Sequence, residues 1–437
     1  MKKLICYALL MLILVFSGAS FAHAEGSVAL SSQKLTVNGT AVDCDKYNID
    51  GSNYFKLRDL GKVLSGTGSQ FSVGWSGNTV SIKPGEAYVA DGSELAKAGD
   101  QSSSAKLSDA TIEIDGAAAA GLKAYNIGGN NYFKLRDLGT ALGFIVSYDA
   151  KANTMLVQST KTVRVATSEE LLNAIAPDTR LVLAAGSYDL TKADKGKVNN
   201  KYVSWQTVFD GEEVFITGVN NLIITGGADT ASTLICVEPR YANVLNFSGC
   251  SNVQVNKLTV GHTIQEGYCT GGVLNFCAGS QNISVESCEL YGCGTYGIIT
   301  SDVREMNVCN TIIRDCTYGA INCQSSSALT FDSCIIHDCQ EFSIVEMTEC
   351  GNVLFKSCFI MNNSSASEWN AFFSFQACNN VCVDSSVISD NSMSSLLDIS
   401  KCVNISFTNN SIQNNEISYG LFAKGSDENV SFVTSIK

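Results

Sequence analysis

The sequence predicts a mainly β protein in which two small α+β repeats precede a right-handed parallel β-helix. The helix should have three strands per coil and about 22–25 residues per coil. Two observations carry this prediction. The nonapeptide "NYFKLRDLG" occurs at residues 53–61 and again at 131–139. From about residue 250 onward, a motif close to Asn-[Ile/Val]-x-[Val/Phe] recurs every 23–30 residues.

The first residues have the features of a secretory signal peptide. Lys2 and Lys3 precede a long apolar run, and "AHA" at 22–24 offers a cleavage site between small residues. We therefore expect residues 1–24 to be removed and the chain to be secreted and extracellular, with cell-surface association left open. No later segment is apolar enough to predict a membrane span.

Charge narrows the set of partners. The chain has 42 acidic and 29 basic residues, a net charge of −13, and no cluster of Lys or Arg. This pattern argues against nucleic acid, whose phosphates need basic side chains. Ca²⁺ is the one candidate cofactor, because acidic oxygens are the ligands that it prefers. No ligand set is defined, and there is no Cys-x-x-Cys pair for zinc.

The duplicated segment predicts a structural unit copied once. "YNIDGSNYFKLRDLGKVL" (47–64) matches "YNIGGNNYFKLRDLGTAL" (125–142), a shift of 78 residues. Leu57, Leu60 and Leu64 would share one helical face, and Phe55 would join them from a preceding strand. The predicted boundaries are 25–84 for the first repeat, 85–110 for a polar connector and 111–160 for the second repeat.

These residues resemble the stalk domain, also called the copper amine oxidase N-terminal-like domain, of secreted bacterial proteins. The resemblance implies a spacer or attachment module. Copper binding is not implied, because the three histidines (His23, His262 and His337) all lie outside the repeats.

Residues 161–437 predict the β-helix. Each recurring motif supplies two short strands, and an apolar tetrapeptide such as "GIIT" (297–300) supplies a third. No helix intervenes, so coils stacked about 4.8 Å apart would form one continuous core. Thr167 and Glu170 predict a capped helix over the first coil. Nearly all parallel crossovers are right-handed, and so we expect this hand.

Eighteen cysteines would ordinarily indicate disulfides in an exported protein. Aligning the coils instead stacks them in columns, with side chains pointing the same way, a poor geometry for disulfides. We therefore expect buried, reduced thiols. The columns are Cys293–Cys316–Cys339, Cys288–Cys334–Cys358 and Cys350–Cys378–Cys402.

The coil pattern resembles the right-handed β-helix repeat proteins with the pectate lyase-like superfold. That superfamily includes pectate lyases and polygalacturonases, so the resemblance implies a carbohydrate-directed function. Its Ca²⁺-binding Asp clusters and catalytic Asp sets have no residue-by-residue match in this chain.

The turns after the second strand of each coil predict the functional site, because polar and aromatic residues concentrate there. Long turns at 261–270 and 361–370 would wall a groove about 19 Å long. Carboxylates and histidines serve as acids and bases, and aromatic rings stack on sugars. The catalytic candidates are His262, Glu266, Arg314, Asp315 and Asp338. The substrate-binding candidates are Glu238, Arg240, Tyr241, Tyr268, Tyr291, His337 and Trp369.

The function predicted from these features is engagement of an extracellular polysaccharide or cell-surface glycan. The mode is binding or cleavage, the latter by a polysaccharide lyase or glycoside hydrolase reaction. The alternative is a non-enzymatic cell-surface or adhesion protein, in which the charged turn residues are simply solvated. Metal handling is a weaker third hypothesis, since only two histidines follow residue 24.

Overall fold

The computed structural model describes residues 27–436 except 120, 228–229, 265–268, 293, 366–370 and 428. The predicted signal peptide lies outside this range, as do the predicted site residues Glu266, Tyr268 and Trp369. Three α-helices are present in the described residues: α1 (Leu57–Leu64), α2 (Leu135–Leu142) and α3 (Ser168–Ala174). None of these helices has the length and apolar character needed to cross a membrane.

The repeats are built from fourteen short strands around α1 and α2. These strands are β1 (Val28–Leu30), β2 (Lys34–Val37), β3 (Thr40–Val42), β4 (Lys46–Ile49), β5 (Ser52–Lys56), β6 (Phe71–Ser76), β7 (Thr79–Pro84), β8 (Lys106–Leu107), β9 (Thr111–Ile114), β10 (Ala117–Ala118), β11 (Ala124–Ile127), β12 (Asn130–Lys134), β13 (Phe144–Asp149) and β14 (Thr154–Ser159).

The two copies of the repeat are intertwined. β5 pairs with β12 antiparallel, so that Phe55 lies opposite Phe133. β2 pairs in parallel with β14, and β7 pairs in parallel with β9. Each four-stranded sheet thus contains strands from both copies. Leu60 of α1 and Leu138 of α2 are buried in one shared core. The predicted repeat boundaries stay a prediction, but the two copies pack as one unit.

Thirty further strands form the rest of the chain. They are β15 (Lys161–Val165), β16 (Thr179–Leu183), β17 (Gly186–Asp189), β18 (Val203–Val208), β19 (Gly211–Thr217), β20 (Asn220–Thr225), β21 (Thr233–Val237), β22 (Leu245–Ser248), β23 (Ser251–Asn256), β24 (Thr259–His262), β25 (Leu274–Cys277), β26 (Gln281–Glu286), β27 (Glu289–Tyr291), β28 (Ile298–Ser301), β29 (Arg304–Cys309), β30 (Ile312–Arg314), β31 (Ile321–Gln324), β32 (Ser327–Asp332), β33 (Ile335–His337), β34 (Val345–Thr348), β35 (Gly351–Lys356), β36 (Phe359–Met361), β37 (Ser364–Ser365), β38 (Ala371–Gln376), β39 (Asn379–Asp384), β40 (Val387–Ser389), β41 (Ser392–Ser400), β42 (Val403–Gln413), β43 (Glu416–Phe422) and β44 (Val430–Ile436).

These strands form a right-handed parallel β-helix, and the predicted mainly β fold is confirmed. Each coil contributes one strand to each of three walls. Wall A contains β22, β25, β28, β31 and β34; wall B contains β23, β26, β29, β32 and β35; wall C contains β24, β27, β30, β33 and β36. The pairing between coils is parallel, as where Ile298 of β28 lies opposite Ile321 of β31. The predicted cap forms at α3, where Glu170 N donates to Oγ1 of the N-cap Thr167 at 3.2 Å. The Glu170 carboxylate accepts from Ala166 N, one residue before the N-cap, at 2.8 Å.

The recurring asparagine has a backbone cause. Asn252, Asn282, Asn352, Asn380 and Asn404 all have a φ of 53–58°, in the left-handed region. Asn tolerates this region better than most residues, which explains its recurrence at the start of wall B. The amides also stack, because Asn282 Nδ2 donates to Asn252 Oδ1 at 2.6 Å in the preceding coil.

The cysteine columns lie inside the helix at its bends. Cys358 Sγ donates to Phe331 O of the preceding coil at 3.4 Å, and Asn410 Nδ2 in the same column donates to Val383 O at 2.8 Å. Cysteine and asparagine therefore have the same role, which is to donate a hydrogen bond to a main-chain carbonyl at a bend of the coil. All sixteen cysteines among the described residues are unpaired, and most of them are buried. Their reduced state stays a prediction.

Candidate functional site

The turns from wall C to wall A stack along one side of the β-helix, which we call the turn edge. Its turns follow β21, β24, β27, β30 and β33 in successive coils. Adjacent coils are bonded strand to strand, so side chains at equivalent positions lie about 4.8 Å apart along the edge. Two groups of predicted site residues occur here, at separate levels of the helix.

The first group, the arginine cluster, lies on the outer face of wall C. Tyr291, Arg314 and His337 occupy equivalent positions in three successive coils. Arg314 Nε donates to Glu289 Oε1 at 2.6 Å, and its Nη1 forms an ion pair with Asp315. The Arg314 guanidinium also lies 4.7 Å from the centre of the Tyr291 ring. One cation is thus held by two carboxylates and an aromatic ring.

This environment fixes the charge of the cluster. Partial burial alone would lower the pKa of Arg314, but the hydrogen bonds and charges of Glu289 and Asp315 outweigh it and raise the pKa. Burial raises the pKa of Tyr291, which is therefore a neutral phenol. Arg314 remains a permanent cation and can position an anionic or hydroxylated group.

His337 and Asp338 continue the cluster in the next coil. His337 Nδ1 and Asp338 Oδ2 are 2.8 Å apart. Asp315 and Asp338 share a backbone role as well, since their φ values of 52° and 56° place both in the left-handed region. Asn and Asp are enriched at such positions, so the turn itself accounts for part of this pattern.

The second group, the hairpin pocket, lies at the N-terminal end of the turn edge. The antiparallel hairpin β18–β19 faces the turn after β21 and encloses about 400 Å³. Arg240 and Tyr241 donate their backbone N–H groups to the Asp210 carboxylate at 2.7 and 3.2 Å. Those two hydrogen bonds fix the hairpin tip against the turn. The pocket is lined by Trp205, Asp210, Glu212, Glu238, Arg240 and Ile264.

One aromatic side chain, Trp205, lines this pocket, and an aromatic pair lies at the tip of the hairpin. Lys195 lies 5.6 Å from the centre of the Trp205 ring and forms an ion pair with Glu212. Phe209 is 87 % exposed, and its ring centre is 5.0 Å from that of Tyr241.

A further polar group extends onto wall A. The Tyr296 hydroxyl donates to Glu346 Oε2 at 2.8 Å, and Asn322 Nδ2 donates to the same oxygen at 3.0 Å. The Tyr296 ring reaches this carboxylate across Gly319, where a Cβ would lie 2.7 Å from the ring. The glycine is therefore required for the contact.

His262 does not join the predicted catalytic group. Its neighbour Gly261 lies opposite Tyr291 and so belongs to the outer column of the arginine cluster. Successive residues of a strand face opposite sides, and His262 points inward with no exposed surface. Its Nε2 is 2.9 Å from Ala242 O, and burial lowers its pKa. His262 and His337 therefore lie on opposite sides of the wall.

The structure gathers some predicted residues and separates others. Tyr291, Arg314, Asp315, His337 and Asp338 are together on wall C. Glu238, Arg240 and Tyr241 are together at the hairpin pocket. Sequence reasoning missed Glu289, Trp205 and Asp210. Strand alternation in wall C places Glu289 two residues before Tyr291 on the same face, and this pattern would have identified Glu289 from the sequence. The pairing of the hairpin with a distant turn left no such signal for Trp205.

No group of three or more potential metal-ligating side chains occurs in the part of the chain that the structure describes. Ca²⁺ thus has no defined site among these residues, and we derive no step that uses it.

Comparisons with known proteins agree with this fold. The family model for the right handed beta helix region matches residues 271–436, which is less than half of the chain. That match does not reach residues 25–160, so the resemblance of the repeats to a stalk domain stays a prediction. No curated protein matches the chain.

Solved structures that match the chain do so with low identity and with TM-scores below 0.5. ORF18 of Geobacillus virus E2 has 10 % identity and a TM-score of 0.36, covering 75 % of this chain and 70 % of its own. An alginate lyase from Paenibacillus sp. str. FPU-7 has 12 % identity and a TM-score of 0.34, covering 62 % and 99 %. PfbA, a surface adhesin of Streptococcus pneumoniae, has 9 % identity and a TM-score of 0.33, covering 58 % and 68 %. Likeness at this level carries no argument about the activity or the fold of this chain.

Proposed function

We propose that this chain binds an extracellular polysaccharide along the turn edge of its β-helix, with the repeats as a spacer or attachment module. The hairpin pocket is the observation that carries the proposal. A sugar ring presents C–H faces that pack on aromatic rings and hydroxyls that bond to charged or amide groups. Trp205 supplies an aromatic surface in the pocket, while Glu238 and Arg240 supply charged partners. The Phe209–Tyr241 ring pair lies at the tip of the hairpin.

The length of the site favours a chain over a single sugar. β21, which precedes the pocket, is four coil steps from β33, which carries His337. Four steps span about 19 Å. The hairpin pocket and the arginine cluster would therefore bind successive parts of one extended ligand.

Binding without cleavage fits the charges better than catalysis does. A lyase mechanism with an Arg or Lys as its base needs that side chain to be deprotonated before it can accept a proton from the sugar. Glu289 and Asp315 raise the pKa of Arg314, which opposes that role. His262 is buried away from the outer face and cannot reach a ligand there.

Cleavage is the second candidate, and the His337–Asp338 hydrogen bond favours it. A carboxylate that orients an imidazole is a common arrangement for a general base. In this version His337 would accept a proton from the sugar or from water, and Arg314 would hold the substrate.

A glycan array with the secreted chain tests the primary proposal. Trp205→Ala should weaken binding to the recognised glycan by about tenfold, because a stacked ring contributes roughly 1–2 kcal/mol. Trp75→Ala is the matched control, since Trp75 is 54 % exposed in the repeats, away from the pocket. Equal losses in both variants, or no glycan bound, would contradict the proposal. Retained binding to cells stripped of glycans would support the adhesion alternative.

A product assay separates binding from cleavage. The recognised glycan is incubated with the protein, with and without EDTA, and new reducing ends and unsaturated products are measured. Our proposal predicts neither. If products form, His337→Ala should abolish them. Met361→Ala is the control, because Met361 follows His337 in the same outer column but has no group that can accept a proton, and it should leave cleavage intact.

A further inference from the structure

The two identical nonapeptides have different surroundings. Lys56, Arg58 and Asp59 of the first copy correspond to Lys134, Arg136 and Asp137 of the second. The backbone is the same at both, with φ and ψ of −65° and 124° at Lys56 and −62° and 124° at Lys134. We call each set of three a polar triplet. Both triplets stand at the start of an eight-residue helix.

In the first copy, the connector covers the polar triplet. Arg58 forms an ion pair with Asp91. Lys56 Nζ donates to Ser93 O at 3.2 Å, and Leu95 N donates to Asp59 Oδ1 at 2.9 Å. The triplet thus binds one carboxylate, one carbonyl and one amide N–H from a short peptide segment, residues 91–95.

In the second copy, the same triplet is open. The side chains of Lys134 and Asp137 are 38 % and 39 % exposed, against 7 % and 4 % for Lys56 and Asp59. Arg136 is exposed as well. The cause is the course of the chain, which passes from β14 directly into β15 without a second connector.

The open triplet lines a cleft of about 980 Å³ between the repeats and wall B of the β-helix. This volume is at the upper end of the range for ligand sites. Wall B contributes small polar side chains, among them Asn282, Ser284 and Asn307. Glu286 and Asp332 add carboxylates on the same side. The cleft therefore has a cationic corner at Arg136 and an otherwise neutral or acidic lining.

We propose that this cleft binds a peptide segment with the chemistry of Asp91–Leu95. Arg136 would pair with its acidic side chain, Lys134 would donate to a carbonyl, and Asp137 would accept an amide N–H. The proposal is independent of glycan binding at the turn edge, because the two sites share no residue.

The differences between the copies set the specificity. Lys62 of the first copy lies 3.9 Å from Glu94, and Thr140 stands at the corresponding position in the second. Glu286 and Asp332 on the facing wall repel a second negative charge. The preferred segment therefore has its free carboxylate at the position of Asp91, since the Glu94 carboxylate accepts hydrogen bonds from the Asp91 and Gly92 N–H groups within the segment, both at 3.0 Å.

Calorimetric titration of the secreted chain with a synthetic peptide of residues 88–97 tests the proposal. We expect one peptide bound per chain, with affinity falling as salt rises. Arg136→Ala should weaken binding about tenfold, as should Asp91→Asn in the peptide.

Arg58→Ala is the matched control, since Arg58 lies in the same nonapeptide as Arg136 but is already paired with Asp91 of the connector. It should leave the peptide affinity within about twofold, because Lys56 and Asp59 still hold the connector. Absence of binding, or equal effects of Arg58→Ala and Arg136→Ala, would overturn the proposal. The peptide substitution keeps the test decisive if a protein variant fails to fold.

Discussion

Arg314 Nε lies 2.6 Å from Glu289 Oε1, one coil away across wall C, and the same guanidinium covers the Tyr291 ring. Three residues from two coils thus form one unit, in which the cation is held by a carboxylate and by an aromatic face. This relationship decides what the turn edge can do. An arginine paired in this way stays protonated, so it can bind and orient a ligand but cannot act as an acid or a base.

Arg314→Lys should therefore be a costly change. A lysine cannot reproduce the planar contacts to Glu289, Asp315 and Tyr291 together. We expect the free energy of unfolding to fall by about 1–2 kcal/mol, measured by urea denaturation. The exposed Arg304 provides the control, and Arg304→Lys should change stability by less than about 0.5 kcal/mol. Equal effects would show that the cluster is not a structural unit.

Ala328→Asn should stabilise the β-helix. Ala328 has a φ of 56° and interrupts the column of left-handed asparagines between Glu305 and Asn352. Alanine is strained in this region, whereas asparagine tolerates it and would extend the amide ladder. The expected gain is about 0.5–1 kcal/mol in thermal or urea unfolding. Ala328→Ser should be close to neutral. A loss of stability with asparagine would contradict the backbone account of the repeated motif.

The interior cysteines should be replaceable by other small donors. Cys358 Sγ donates to Phe331 O and Lys356 O, and Ser386 and Asn410 occupy the same column. Cys358→Ser keeps a donor and should cost less than about 1 kcal/mol. Cys358→Val leaves the two carbonyls without a side-chain donor and should lower the free energy of unfolding by about 1–3 kcal/mol. If both variants lose the same stability, packing volume and not hydrogen bonding governs the column.

Glu286 should make the folded protein less stable as the pH rises above the range in which carboxyl groups ordinarily titrate. Burial, followed by the charge of Asp137, raises the pKa of Glu286, while Thr140, Lys257 and Lys134 oppose the shift. The native state then binds more protons than the unfolded state, so deprotonation at higher pH favours unfolding. Glu286→Gln should therefore gain stability over the parent chain at about pH 8 and much less at about pH 4.

Urea unfolding at both pH values measures this difference. Glu305→Gln, an exposed change on the same wall, serves as the control. A gain from Glu286→Gln that is the same at both pH values would contradict the assigned cause.

Much of the fold was readable from local patterns. The period of the Asn motif predicted the coils, because each coil must return to the same corner after three strands. Thr167 and Glu170 predicted α3, because a capping box is a local arrangement. The cysteine columns followed from the same alignment, since stacking coils superposes equivalent positions.

The candidate site was predictable only in part. Asp315, His337 and Asp338 follow from coil register, which the sequence displays. The inward position of His262 was not predicted, because a shift of one residue along a strand moves a side chain from the outer face to the interior. Trp205 and Asp210 meet Arg240 through a hairpin folded across a turn some thirty residues away, and no periodic pattern encodes that contact.

By itself, the sequence determined the repeated coil, its corner residues and the duplication of "NYFKLRDLG", because these depend on backbone conformation and on residues close in the chain. Only the tertiary structure decided that one copy of the polar triplet is covered by the connector and the other faces a cleft. Identical residues acquire different partners when the chain beyond them takes a different course, and burial and charge follow from those partners.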